Sequence, residues 1–166
     1  MQEICKNASV TTGALYKRFK GKEELFCALV ESTVQDLEEV VRQKSVLPAT
    51  LTDEQLKKAW DMDREYMQWW FNYLYDRYDE MRLLLVFSDG TKYANFEHEW
   101  VEGMSHTTYA YYKGAQRRGL TKTDISEKEL HVMLSSFWTA ICEPLIHGFT
   151  KEEAGRISDL MCGLFD

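Results

Sequence analysis

Few residues in this 166-residue chain have the spacing that chemistry demands. Asp61-x-Asp63-x-Glu65 brings three carboxylates close in sequence, but residues two apart on a helix do not face one another. Glu143 and His147 stand four apart and could share a metal face, yet no third ligand lies within reach by sequence. His98 and His106, eight apart, suit a polar surface. There is no nucleophile motif, no phosphate-cradling glycine loop and no paired catalytic acid. The reading is therefore not an enzyme, with no cofactor and no metal. A catalyst whose rings cradle a hydrophobic substrate is the competing class.

Charge is distributed unevenly. The whole chain carries −7, whereas residues 1–22 hold Lys6, Lys17, Arg18, Lys20 and Lys22 against Glu3 alone, a local balance of +4. A basic head on an acidic body suits an anionic partner for the head. The aromatic residues cluster too: 15 of 22 fall between Trp60 and Tyr112. Rings on helices mostly fill space between helices, but such a density of Trp and Tyr also suits a cavity for a flat ligand. The candidate lining is Trp60, Tyr66, Trp70, Phe87, Tyr93, Phe96, Trp100, Met104 and Tyr111. From Asp61 to Glu102, acidic side chains outnumber basic ones by ten to four. A carboxylate facing those rings would favour a hydrophobic cation.

The elements that must position these groups are helices. Only two prolines occur, and apolar spacing is three-to-four throughout. Thr11, Thr52, Ser126 and Thr150 each sit where a side chain can cap a helix, the last three as capping boxes with Gln55, Glu129 and Glu153. Long helices are predicted over 22–43, 53–79, 93–118, 127–147 and 151–165, with a short one over 81–87. Leu25, Leu29, Val30, Val34, Leu37 and Val41 form the inward stripe of the first, and Pro48 breaks the chain after it. Pro144 predicts a kink near Ala140–Glu143. The fold class is all-α: a helix-turn-helix head over 1–44, including the start of the linking helix, and a helical bundle over 45–166. No apolar run is long enough to span a membrane, and Gln2-Glu3 does not begin a signal peptide. Four scattered cysteines predict reduced thiols and a cytoplasmic protein.

Residues 2–19 read as two short helices with a tight turn, Ile4 and Ala8 facing inward on the first. The second presents Thr11, Thr12, Gly13, Ala14 and Lys17 outward, and small residues there permit close entry into a DNA major groove. Lys17 and Lys22 are placed to meet phosphates.

The run Ile4 to Phe26 resembles the DNA-binding signature of TetR-family repressors. It carries Ile4, Ala8, Val10, Gly13, Leu15, Tyr16, Phe19, Lys22 and Leu25 at the family spacing, while Cys5 and Ser9 replace the usual alanine and turn glycine. The resemblance adds Tyr16 to the DNA-binding set. It implies a homodimeric regulator, a repressor released from a palindromic double-stranded operator when a small hydrophobic or aromatic effector binds the larger domain. It also implies a dimer interface on the last two helices, through Leu134, Phe137, Trp138, Ile141, Leu145, Ile157, Leu160, Met161 and Leu164. The family places a further helix ahead of the one near Gln2. The expectation is an upstream segment in the native protein, or a shortened relative that binds a ligand or partner but not DNA.

Overall fold

The computed structural model describes residues 1–45, 51–58 and 64–163. Among them the secondary structure is helical, with no strand: α1 Gln2–Asn7, α2 Thr12–Arg18, α3 Lys22–Ser45, α4 Asp53–Lys58, α5 Arg64–Tyr75, α6 Tyr78–Val86, α7 Phe96–Arg117, α8 Glu127–Ile146 and α9 Lys151–Gly163. The fold is all-α. Pro48, Trp60, Asp61, Asp63 and Leu164 lie outside the described residues.

Capping chemistry sets the starts. Thr11 Oγ1 accepts from the Ala14 amide at 3.1 Å. Thr52 and Gln55 exchange bonds of 2.9 and 3.2 Å, and Thr150 and Glu153 bonds of 2.7 and 3.2 Å. Ser126 and Glu129 form the same reciprocal box. Gly119 and Gly148 follow α7 and α8 at φ 69° and 72°, the left-handed backbone that ends a helix at little cost for glycine.

Two helix boundaries differ from the apolar pattern. Instead of running through to residue 79, α5 stops at Tyr75, and Arg77 adopts φ −126°, ψ 34° before α6 begins. The Arg77 guanidinium lies 4.1 Å from the Tyr73 ring centroid and 3.0 Å from Asp36 of α3. These contacts lie at the break, in a stretch that contains no glycine or proline. The start of α7 is also later than residue 93. Thr91 Oγ1 donates to Ser88 O at 2.7 Å and accepts from Tyr93 N at 3.1 Å, holding a turn there.

The core forms where α3, α5, α6, α7 and α8 meet, with Ala154 of α9 buried in it. Its α3 face is Phe26, Val30, Val34 and Leu37, so Phe26 replaces Leu29, which is 51% exposed. At the centre Trp138 is 1% exposed, with ring centroids 5.8 Å from Trp70 and 5.3 Å from Trp100. This corrects the interface reading of α8. Leu134, Trp138, Ile141 and Leu145 are buried within one subunit, because that face of α8 packs on α5, α6 and α7. The helix continues through the buried Pro144, whose carbonyl accepts from Phe149 N at 2.8 Å.

Trp138→Ala will lower unfolding free energy by about 3–5 kcal/mol in urea titration, whereas Val132→Ala, on the exposed face of α8, will change it by less than about 0.5 kcal/mol. The capping hydrogen bonds hold Glu129 and Glu153 below the usual carboxylate range. Their contribution is complete above the unfolded-state value and is lost as pH falls through the lower folded one. Acid titration followed by amide exchange will therefore show the first turns of α8 and α9 opening there, and Ser126→Ala will remove that acid dependence from α8.

Candidate functional site

The head is built by two local devices. At the end of α1 the Val10 amide donates to Cys5 O at 3.0 Å and the Ser9 amide to Lys6 O at 3.3 Å, a reciprocal closing pair that reverses the chain. The pair requires Ser9 at φ 54°, where glycine is favoured. Thr11 then opens α2, and the Leu15 amide donates to Thr11 O at 3.1 Å.

On α2, Thr12, Gly13, Ala14, Tyr16 and Lys17 are exposed, as are Thr11 before it and Lys22 at the start of α3. Leu15 is half-buried. A β-carbon built at Gly13 meets nothing within 4 Å. Internal packing therefore does not require glycine there, although it costs about 1 kcal/mol of helix stability relative to alanine. The inward reading of Ile4 and Ala8 is corrected: both are exposed, and Cys5 is the buried residue of α1. No described element covers the Ile4 side of that helix.

Behind the head, α3 and α7 border a half-open groove of about 390 Å³. Val34, Glu38, Val41 and Arg42 come from α3, and Phe96, Glu99, Trp100, Gly103, Met104 and Thr107 from α7, with Tyr93 at the turn before it. The Phe96 and Trp100 rings stack at 6.3 Å. Four candidate ligand residues thus meet: Tyr93, Phe96, Trp100 and Met104. The others separate. Trp70 belongs to the tryptophan core, and Tyr66 stacks on Phe137 at 6.3 Å. Tyr111 is half-buried farther along α7, and Phe87 is 59% exposed beyond α6. Phe87 is corrected to a surface residue because α6 ends at Val86 and turns its C-terminus to solvent.

Sequence reasoning missed the α3 wall, although Val34, Glu38 and Val41 at four- and three-residue steps mark one helical face. The α7 residues Glu99, Gly103 and Thr107 were legible as a row beside Trp100 and Met104. A second recess, about 360 Å³, lies among Leu56, Tyr112, Leu130, Met133 and Leu134. Of the remaining α8 and α9 candidates, Phe137 and Ile157 are half-buried, while Leu160 and Met161 are exposed.

Among the described residues, no group of three or more His, Cys, Asp or Glu is arranged to hold a metal. Glu143 and His147 pair directly at 2.9 Å. Burial raises the Glu97 carboxyl above its usual range, with help from the nearby Glu143 charge, and pushes the Cys142 thiol well up. A thiol so held is a poor nucleophile.

The reversal at Ser9, the capped exposed α2 and the basic flanks define a helix-turn-helix head. Residues 1–29 match the family model for bacterial regulatory proteins, tetR family. No curated protein and no solved structure matches the chain. The head is therefore similar to the DNA-binding head of that family. No described helix is long and apolar enough to cross a membrane.

Ser9→Gly will relieve the left-handed strain and stabilise the head by about 1 kcal/mol, read as slower amide exchange at Val10 and the first turn of α2. Unchanged exchange would show that the reversal carries no strain.

Proposed function

We propose that the protein is a ligand-responsive repressor in which residues 1–44 read DNA and residues 45–166 bind an effector and dimerise. Thr12, Gly13, Ala14 and Tyr16 meet base edges or the groove floor. Thr11 holds the start of the reading helix, while Lys17 and Lys22 contact phosphates. The observation that carries this reading is the double use of α3: it begins at Lys22 beside the reading helix and supplies one wall of the groove at Val34, Glu38, Val41 and Arg42. A small hydrophobic or aromatic molecule between α3 and α7 changes the preferred position of α3. A second copy of the chain carries the second reading helix, so a changed separation releases a palindromic operator. The ligand's differential affinity for the two separations is the energy source.

The exposed residues of the last helices, Val132 and Met133 on α8 with Leu160 and Met161 on α9, replace the buried α8 residues as the candidate dimer surface. DNA binding will be measured by fluorescence anisotropy on the duplex upstream of the protein's own gene, across a salt series. Lys17→Ala will weaken binding about equally on all sequences and reduce the salt slope by about one, as loss of one phosphate contact requires. Binding absent at low salt, or a slope unaffected by Lys17, overturns the reading and leaves a ligand- or partner-binding protein.

A further inference from the structure

The chain has four histidines, all on α7, on α8 or at the C-terminal end of α8, and they divide into two kinds. His106 Nδ1 lies 3.0 Å from Glu127 Oε1, and His147 Nε2 lies 2.9 Å from Glu143 Oε2, so each of these rings has a carboxylate partner. His98 and His131 make no ion pair among the described residues. They meet each other across the seam between α7 and α8, with ring centroids 6.2 Å apart and planes inclined by 75°.

A neighbour settles which nitrogen of His131 carries the proton. Ser105, buried on α7, donates its single hydroxyl hydrogen to Val101 O at 2.6 Å. The same Oγ lies 3.1 Å from His131 Nδ1, where, with its hydrogen already engaged, it accepts. The network therefore assigns the proton of the neutral ring to Nδ1 and leaves the Nε2 lone pair bare. Ser105 follows His98 by seven positions, two helical turns, so both lie on the side of α7 that His131 packs against.

A bare imidazole nitrogen, oriented by a hydrogen bond at the other nitrogen, is the donor that a borderline metal ion takes. Zinc–nitrogen bonds of about 2.0–2.1 Å place the centroids of two imidazoles on one ion about 5–6.5 Å apart, depending on the angle between the bonds. The separation of His98 and His131 lies in that span, and the exposed His98 ring is free to turn toward the ion. Among the described residues no third His, Cys, Asp or Glu completes a set with them, so water fills the remaining positions.

We propose that His98 and His131 form a site for a divalent cation of the Zn²⁺ class, bridging α7 and α8. Imidazole selects such an ion over Mg²⁺ and Ca²⁺, which take oxygen ligands. Bound to the folded chain alone, the ion fastens the α7–α8 seam and stabilises the bundle by mass action. The site is independent of whether the head reads DNA.

The test titrates the full chain with ZnCl₂ by calorimetry, in a non-coordinating buffer at about pH 7.5, with MgCl₂ for comparison. One Zn²⁺ per chain will bind, Mg²⁺ will not, and saturating Zn²⁺ will raise the midpoint of thermal unfolding. His98→Ala, at an exposed position, will weaken Zn²⁺ binding by about tenfold or more, and His131→Gln will do the same. His106→Ala and His147→Ala will leave the affinity within about twofold. With Cu²⁺ as the probe, electron paramagnetic resonance will show two coordinated nitrogens in the unaltered chain and one after His98→Ala. No Zn²⁺ binding below about 1 mM, or binding unchanged by His98→Ala, overturns the assignment. So does binding lost with His147→Ala, which moves the ion to the Glu143–His147 pair.

Discussion

The burial of Trp138 between Trp70 and Trp100 is the constraint on which the rest of the bundle depends. It fastens α8 to α5 and α7 at one point. The indole N–H groups of Trp100 and Trp138 are buried without a hydrogen-bond partner among the described residues. Each such omission costs about 1–3 kcal/mol. Removing a tryptophan ring from water returns about 4–6 kcal/mol at the usual area coefficient, and each edge contact adds about 0.5–1.5 kcal/mol. Apolar burial outweighs the orphaned donors. With one side of α7 held this way, its neighbouring surface at Phe96, Trp100 and Met104 is fixed opposite α3, and the groove follows from the core.

That arrangement gives α3 two roles. Its inward residues Phe26, Val30, Val34 and Leu37 anchor it to the bundle, while its first turn follows directly on α2. A helix of 24 residues is about 36 Å long, so a small tilt at the groove end displaces the head end by more than it moves the wall. Arg77, between α5 and α6, is bonded to Asp36 on the same α3. In the proposed mechanism, therefore, the ligand acts on a rod already held at several points, and its effect is a shift between two packed positions rather than a continuous bend.

The turn and the cap of the head are closed by local hydrogen bonds. The reversal at Ser9 and the cap at Thr11 join residues within five positions of one another. No residue of α2 is buried, and α1 buries only Cys5. Such a unit presents polar and small side chains outward on α2. That suits a surface whose partner is a charged duplex, where phosphate contacts dominate affinity.

The amino-acid sequence alone determined the helical class, the four capped starts, the glycine stops after α7 and α8, and the outward placement of Thr11, Thr12, Gly13, Ala14 and Lys17. Each depends on bonds between near neighbours or on a family pattern confined to the first residues. Only the tertiary structure decided that Trp138 and Leu134 belong to the interior, that Phe87 faces solvent, that α5 ends at Tyr75, and that Glu38 and Glu99 face the same groove. An amphipathic stripe specifies that a helix face is covered. It does not specify whether a distant segment of the same chain, a second copy or a ligand covers it, because those contacts join residues tens of positions apart.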